Sequence, residues 1–181
     1  MPGALIYLQE GEKITVKSLL YGLLLYSGND AALALSSKMG EKQFVEKMNE
    51  KAKLLGLSAT HYDDPSGLSS SNKSTTLDLA HLTNYALTNS IFAKITKTNE
   101  ITITSTDGKI AHPLKNTNRL LRDYQGAYGG KTGYTEEAGH CLIVAVERQG
   151  HKIISVVLKS GNDQFKESRE ILDWIFAVYR W

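Results

Sequence analysis

The chain has 181 residues, of which 41% are hydrophobic and 22% charged, and its formal net charge is +2. This length can bury a core and fits one domain, and the scattered basic residues exclude the basic face of a nucleic-acid-binding protein. One cysteine, Cys141, excludes an internal disulfide, and five histidines without paired spacing predict no metal site, so no cofactor is expected.

Nothing in the sequence predicts a signal peptide or a membrane anchor. Residues 1–7 lack a basic segment followed by a long apolar stretch. The longest apolar run, residues 19–26, is far shorter than the ~20 residues that a membrane helix needs. We therefore expect no bilayer-spanning segment in this sequence.

Two helices are predicted near the start of the chain. Thr15 can cap a helix over residues 16–25, and Asn29 can cap a second helix that runs to about Lys38. The tripeptide Ser27-Gly28-Asn29 then forms a tight connection between them. This connection can combine helix capping by Asn29 with a separate role for Ser27.

A third helix is predicted over residues 42–55, ending at Gly56. Its apolar side chains recur at helical spacing, so we expect the following core positions: Phe44, Val45, Met48, Ala52 and Leu55. Residues 63–74 are rich in Ser, Asp, Gly and Asn and predict a loop. Thr75 or Thr76 then caps another helix that runs to about Leu87.

The second half of the chain is typical of antiparallel strands. Asp107-Gly108 predicts a tight hairpin between residues 101–104 and 109–111, and Gln149-Gly150 predicts one between residues 141–147 and 152–158. Residues 130–135 predict a neighbouring strand. A final amphipathic helix is expected over residues 164–179, with these side chains facing inward: Ile171, Leu172, Ile175 and Phe176.

Two tripeptides in this framework indicate chemistry. Ser27-Gly28-Asn29 and Lys131-Thr132-Gly133 resemble, in order and separation, the second and third active-site motifs of penicillin-recognising serine acyl-enzymes. The first motif of that class, Ser-x-x-Lys on a helix, is not found before Ser27. The string Ser70-Ser71-Asn72-Lys73 fits the pattern, but in a predicted loop its Ser and Lys would not be stacked one helical turn apart.

Further stretches narrow the resemblance, and they occur in order along the chain: residues 7–16, 20–32, 48–56, 64–68, 116–121, 130–135 and 172–174. Together they resemble the serine-type D-alanyl-D-alanine carboxypeptidases, the low-molecular-mass penicillin-binding proteins of peptidase family S11. The resemblance implies an α/β (α+β) fold of the β-lactamase and DD-peptidase type. Residues 1–181 would form one such domain, N-terminally incomplete, with a helical part over about 15–95 and a sheet part over about 99–181.

The same resemblance implies roles for the motif residues in one cleft. Ser27 would relay a proton toward the leaving amine, and Asn29 would orient the nucleophilic pair and bind the substrate amide. Lys131 would attract the substrate's C-terminal carboxylate. The remaining implied substrate-binding positions are Thr132, Gly133, Tyr134 and Gly130. The implied partners are β-lactams and peptidoglycan stem peptides ending in D-Ala-D-Ala, at an extracytoplasmic location.

Without the Ser-x-x-Lys segment, the chain is expected to be inactive alone. One alternative is a noncatalytic fragment that binds peptidoglycan or β-lactams. A β-lactamase-like hydrolase is the other, but no Glu between Glu41 and Glu100 has the Asn four residues later that such an enzyme needs. A phosphate loop at residues 126–132 is one residue too short and precedes a strand.

Incomplete sheet coverage predicts self-association, or binding of an N-terminal fragment that completes the sheet. Two further positions have structural interpretations. The second Ser-Gly-Asn-Asp, residues 160–163, is expected to cap the last helix, and Arg119 is expected to form a structural salt bridge.

Overall fold

A computed structural model describes residues 3–161 and 163–179 of the chain. The chain divides into two compact units. The first consists of Met1–Ser74 and Thr98–Thr117, and the second of Thr75–Lys97 and Asn118–Trp181. This division differs from the predicted helical and sheet parts, because residues 75–97 group with the sheet that follows them and residues 98–117 with the helices before them.

Three helices form most of the first unit: α1 (Val16–Tyr26), α2 (Asn29–Ser37) and α3 (Glu41–Leu54). As predicted, the Thr15 hydroxyl caps α1 and accepts the Ser18 amide at 3.1 Å. The prediction that Asn29 caps α2 was wrong. Asn29 is the first helical residue and Gly28 occupies the cap, so the Asn29 side chain lies within the first turn and makes no cap hydrogen bond.

Helix α3 contributes less to the core than its periodicity predicts. Ala52 is buried, whereas four predicted core side chains are half-buried: Phe44, Val45, Met48 and Leu55. The buried apolar side chains of this unit instead include Leu19 and Leu25 of α1, together with Ile6 and Ile103 from other segments. Removal of these apolar surfaces from water is the main stabilising term for the unit.

A two-stranded antiparallel hairpin completes the first unit, with β1 (Glu100–Thr104) and β2 (Ala111–Lys115). The predicted second strand began too early. Asp107 accepts hydrogen bonds from the Ser105 hydroxyl and the Lys109 amide, at 2.7 and 3.1 Å, and these local bonds widen the turn. The strand consequently starts at Ala111, and Ile103 pairs with His112.

The second unit is an antiparallel sheet with helices around it. Its strands β3 (Ala127–Thr135), β4 (Gly139–Arg148) and β5 (His151–Ser160) follow the order β3-β4-β5. The helices are α4 (Thr76–Leu87), α5 (Ser90–Lys97), α6 (Leu120–Asp123) and α7 (Gln164–Val178). The core cluster is Leu120, Tyr124, Leu142, Val144, Val146 and Leu172. Helix α5 was not predicted.

Several predictions for this unit are confirmed. Thr75 caps α4, and Asp163 caps α7 by accepting the amides of Phe165 and Lys166. Arg119 forms the expected salt bridge, with its guanidinium 2.9 and 3.0 Å from the two carboxylate oxygens of Asp163. Asn162, inside the second Ser-Gly-Asn-Asp, lies outside the described residues.

One finding qualifies the sequence prediction for the last helix. On α7, Leu172 is buried and Ile175 and Phe176 are half-buried, but Ile171 is 40% exposed and does not face inward.

Within residues 3–161 and 163–179, no helix is long and apolar enough to cross a membrane. The mixture of helices with antiparallel sheets confirms the predicted fold class.

Candidate active site

Ser27 ends helix α1 in an unusual backbone conformation. Its φ of 70° and ψ of 30° lie in the left-handed region, which a serine rarely adopts. The amides of Ser27 and Gly28 both donate to the carbonyl of Gly22, the latter at 2.9 Å, and these bonds close the turn. Such strain persists where the surrounding structure fixes it, and it is frequent at functional sites.

Asn29 is almost buried, with 9% of its surface exposed. Its backbone amide donates to the carbonyl of Ala4 at 2.8 Å. Its side-chain amide lies against Gly3, where an added Cβ would collide with it. The segment that begins at Gly3 therefore covers Asn29 and fixes its position.

Asp30 follows the Ser27-Gly28-Asn29 motif and was not among the predicted site residues. Its carboxylate accepts three backbone amides: Ile6 at 3.1 Å, Leu8 at 3.0 Å and Ala31 at 2.9 Å. Asp30 thereby joins the first residues of α2 to residues 6–8. An acidic side chain in the first turn of a helix indicates an interaction with the free backbone amides at that end, and the sequence contained this indication.

Lys131 lies in the middle of β3, opposite Ile143 of β4. Burial lowers the pKa of Lys131 to about 8 from its ordinary value of 10.5. The ammonium donates to the carbonyl of Thr132 at 2.8 Å. Lys131 is half-buried, and a bound anion would replace the hydration that its ammonium has lost.

Gly130 and Gly133 have different structural roles. Gly130 has φ of 139°, and a Cβ there would collide with the carbonyl of Ile143. The close approach of β4 therefore requires glycine at this position. A Cβ at Gly133 would meet the Cβ of Cys141 at 3.7 Å, an ordinary contact, and Gly133 itself is exposed.

Beyond Gly133, β3 presents an aromatic side chain to solvent. Tyr134 is 60% exposed and stacks against His140, its cross-strand partner, with 4.5 Å between the ring centroids. Because side chains alternate along a strand, Tyr134 and Thr132 lie on the same face of β3. His140 was not among the predicted site residues. It directly precedes the predicted strand at residues 141–147 and lies in β4 of the structure, which begins at Gly139.

The predicted site residues thus fall into two sets. Ser27 and Asn29 lie next to each other in the first unit. The other five lie together on one strand of the second unit: Gly130, Lys131, Thr132, Gly133 and Tyr134.

The Ser70–Lys73 string lies outside regular helix, as predicted. Ser70 is in a turn, and Lys73 forms an isolated bridge with His61. Asp64 organises the loop. Burial would raise its pKa, but hydrogen bonds from residues 66, 67 and 69 lower the pKa well below its ordinary value. This geometry does not stack Ser70 and Lys73 as a nucleophile and base. Within the described part of the chain, no group of three or more His, Cys, Asp or Glu residues could hold a metal ion.

Comparison with known proteins identifies the family. The model of peptidase family S11, described as D-alanyl-D-alanine carboxypeptidase, matches residues 2–162. The match covers most of the chain and includes both tripeptide motifs. The chain therefore belongs to the S11 family of D-alanyl-D-alanine carboxypeptidases, as the sequence resemblance implied.

Individual relatives agree with this assignment. The chain is 40% identical to a D-alanyl-D-alanine carboxypeptidase of Streptomyces sp. (strain K15), covering 93% of this chain and 63% of the relative. It is 37% identical to the carboxypeptidase DacF of Bacillus subtilis (strain 168), covering 99% of this chain and 47% of the relative. The chain thus spans about half to less than two thirds of the length of these relatives.

A solved structure supports the fold. The crystal structure of the Streptomyces K15 DD-transpeptidase superposes with a TM-score of 0.89 at 38% sequence identity, over 97% of this chain and 73% of that chain. Agreement at this level confirms the mixed helix and antiparallel-sheet architecture of the family.

Proposed function

We propose that this chain carries the second and third active-site elements of a D-alanyl-D-alanine carboxypeptidase. The reaction would remove the terminal D-Ala of a peptidoglycan stem peptide through a serine acyl-enzyme, at an extracytoplasmic location. The observation that carries the proposal is the desolvated ammonium of Lys131 on β3. A substrate that ends in a carboxylate would bring a negative charge that compensates for the hydration this ammonium has lost.

The sheet supports recognition of an extended peptide. β4 is the neighbour of β3 in the sheet, and no other strand pairs with β3 among residues 3–161 and 163–179. The second edge of β3 therefore has no strand partner in this part of the chain, and we propose that it accepts an added peptide strand. If a peptide lies antiparallel to β3 with its carboxylate at Lys131 and Thr132, its preceding residues run past Gly133 toward Tyr134.

Ser27 and Asn29 would act on the reacting groups. We assign to the Ser27 hydroxyl the transfer of a proton toward the leaving D-Ala amine, and to the Asn29 amide the orientation of the nucleophilic pair. The tight turn at Ser27 and the cover over Asn29 fit these roles, because proton transfer requires side chains in fixed positions.

A noncatalytic binding role is the second candidate for residues 1–181 by themselves. The single Ser-x-x-Lys string in this sequence is Ser70–Lys73, and it lies in a turn and a bridge. We therefore propose that these residues alone bind β-lactams or stem peptides but form no acyl-enzyme. A β-lactamase-like hydrolase has no supporting observation, since the Glu-x-x-x-Asn element is missing between Glu41 and Glu100.

Helix α7 also favours a protein partner. It exposes three apolar side chains at helical spacing, Ile171, Trp174 and Val178, and Tyr179, which follows the helix, is exposed as well. We propose that a second copy or an N-terminal fragment that completes the sheet covers this surface. Sedimentation at increasing concentration should show self-association, and a monomer at all concentrations would leave the fragment as the remaining partner.

The proposed chemistry is tested by mass spectrometry after incubation with benzylpenicillin. The expected result for residues 1–181 is an unchanged intact mass, together with reversible binding that Lys131→Met abolishes. A stoichiometric adduct on Ser70 would refute the assignment of that loop as noncatalytic. Absence of any binding would refute the proposed carboxylate site at Lys131.

A further inference from the structure

The first unit contains a buried pair of titratable side chains that the proposed reaction does not use. His112 of β2 is 6% exposed, and the Glu12 side chain is 1% exposed. The Nε2 atom of His112 lies 2.8 Å from Oε1 of Glu12. Its Nδ1 atom lies 2.8 Å from the carbonyl oxygen of Ile6.

These contacts determine how many protons the pair holds. A carbonyl oxygen can only accept, so Nδ1 of His112 must carry a proton and donate it to Ile6. The contact between Nε2 and Glu12 then requires one further proton between the two atoms. The pair is therefore either an imidazolium with a carboxylate or a neutral imidazole with a carboxylic acid, and it is neutral overall in both cases.

His112 contacts Ile6, which lies in residues 4–9, and Glu12, which follows the turn after those residues. We call residues 4–9 the strap. Glu12 holds the end of the strap as well, because its Oε2 accepts the amide of Gln9 at 3.1 Å. His112 and Glu12 thus attach the strap to the β1–β2 hairpin.

On its other side, the strap contacts the Ser27-Gly28-Asn29 turn. Its Ala4 carbonyl accepts the Asn29 amide, and its Ile6 and Leu8 amides donate to Asp30. The Ile6 side chain also packs on the turn, since a Cβ at Gly28 would lie 2.9 Å from the Ile6 Cγ2 atom. The strap therefore connects the His112–Glu12 pair to the proposed proton-relay turn.

We propose that His112 and Glu12 are positioning residues for the Ser27-Gly28-Asn29 turn, acting through the strap. Their importance for catalysis rests on the proposed function, but the positioning itself does not. The strained backbone of Ser27 needs surroundings that fix it, and the strap is packed directly on that turn. The hydrogen-bonded pair fixes the strap because separation of the two partners would leave a buried polar group without a hydrogen bond.

Three variants separate the two contacts of His112. His112→Leu removes both, His112→Asn retains a donor near the position of Nδ1, and His112→Gln retains a donor that can reach Glu12. The measurement is amide hydrogen exchange at Ile6, Leu8 and Asn29. In His112→Leu we expect these amides to exchange about tenfold faster or more, since a lost hydrogen bond of this kind corresponds to about one factor of ten.

The pattern among the variants distinguishes positioning from general loss of stability. His112→Asn should restore slow exchange at Ile6, and amides in β4 of the second unit should be unaffected in all three variants. His61→Leu, a substitution of an exposed histidine in the same unit, is the matched control and should change none of these rates. Uniform acceleration across the chain, or no change at the strap, would overturn the proposal.

Nitrogen-15 spectra of the His112 ring test the proton count directly. Nδ1 should give the signal of a protonated nitrogen, and an unprotonated Nδ1 would contradict the assignment. Neither this signal nor the exchange rates require turnover. If the proposed carboxypeptidase function fails, these results are unchanged, whereas failure of the positioning proposal leaves penicillin binding at Lys131 intact.

Discussion

Lys131 provides the most quantitative prediction. Its pKa falls from 10.5 to about 8 because the folded chain removes solvent from the ammonium. A shift of this size corresponds to about 3 kcal/mol of unfolding free energy, the cost of charging the buried amine at neutral pH. Lys131→Met should therefore raise the unfolding free energy at pH 7 by up to about 3 kcal/mol.

The sign of the pH dependence follows from the same shift. Below pH 8 the folded protein bears the full cost of the charge, and above about pH 10.5 the amine is neutral in both folded and unfolded states. The stability gap between Lys131→Met and the parent chain should thus be largest at pH 7 and should narrow as the pH rises. Urea unfolding at pH 7, 8.5 and 9.5 measures this gap.

Two further variants serve as controls. Lys131→Arg keeps a permanent charge, so it should gain no stability and should lack the pH-dependent recovery of the parent chain. Lys97→Met replaces an exposed lysine of the same unit and should leave stability nearly unchanged. If Lys131→Met is no more stable than the parent at pH 7, or if the gap does not narrow, the reasoning about desolvation is refuted.

Three other predictions concern the two motifs. Gly130→Ala should lower the unfolding free energy by roughly 2–4 kcal/mol, because the added Cβ collides with the Ile143 carbonyl. The control Gly133→Ala should lower it by less than about 1 kcal/mol. Similar urea midpoints for the two variants would contradict this. Asp30→Ala should cost roughly 2–3 kcal/mol and speed exchange of the Ile6 and Leu8 amides, and unchanged exchange would exclude Asp30 as their anchor. Tyr134→Ala should weaken binding of a stem tripeptide but not of a dipeptide, with Tyr134→Phe as the control, in isothermal calorimetry; equal weakening of both ligands would exclude a contact beyond the dipeptide.

Local sequence patterns predicted much of the fold. Helix caps at Thr15 and Thr75 and the turn at Gln149-Gly150 depend on residues close in sequence, and the structure confirms all three. The predicted strand at residues 130–135 is also present within β3. In these elements, capping and turn chemistry agree with the final packing, so local signals were sufficient.

The errors arose where distant residues decide the structure. Asn29 is the first residue of α2, and its amide bonds to Ala4, which no local pattern indicates. The His112–Glu12 contact joins residues 100 positions apart, and no local pattern indicates that these two side chains meet. Ile171 faces solvent although helical periodicity alone placed it with the inward side chains.

The candidate site shows the same division. The residue types and spacing of the two tripeptides identified both motifs, but they did not predict the contacts that fix the geometry of each motif. The desolvation of Lys131 and the β4 backbone against Gly130 emerge only when the strands are paired. The cover over Asn29 likewise depends on how residues 3–8 fold back onto the turn.

The central claim is that Lys131 binds a substrate carboxylate, and calorimetry of benzylpenicillin binding at pH 8 tests it most directly. With a pKa of about 8, half of the Lys131 side chains are neutral at this pH, and a bound carboxylate should protonate them. Titrations in two buffers of different ionisation enthalpy should show uptake of about half a proton per bound ligand. Lys131→Met should abolish binding. Binding without proton uptake, or binding that Lys131→Met leaves intact, would contradict the account.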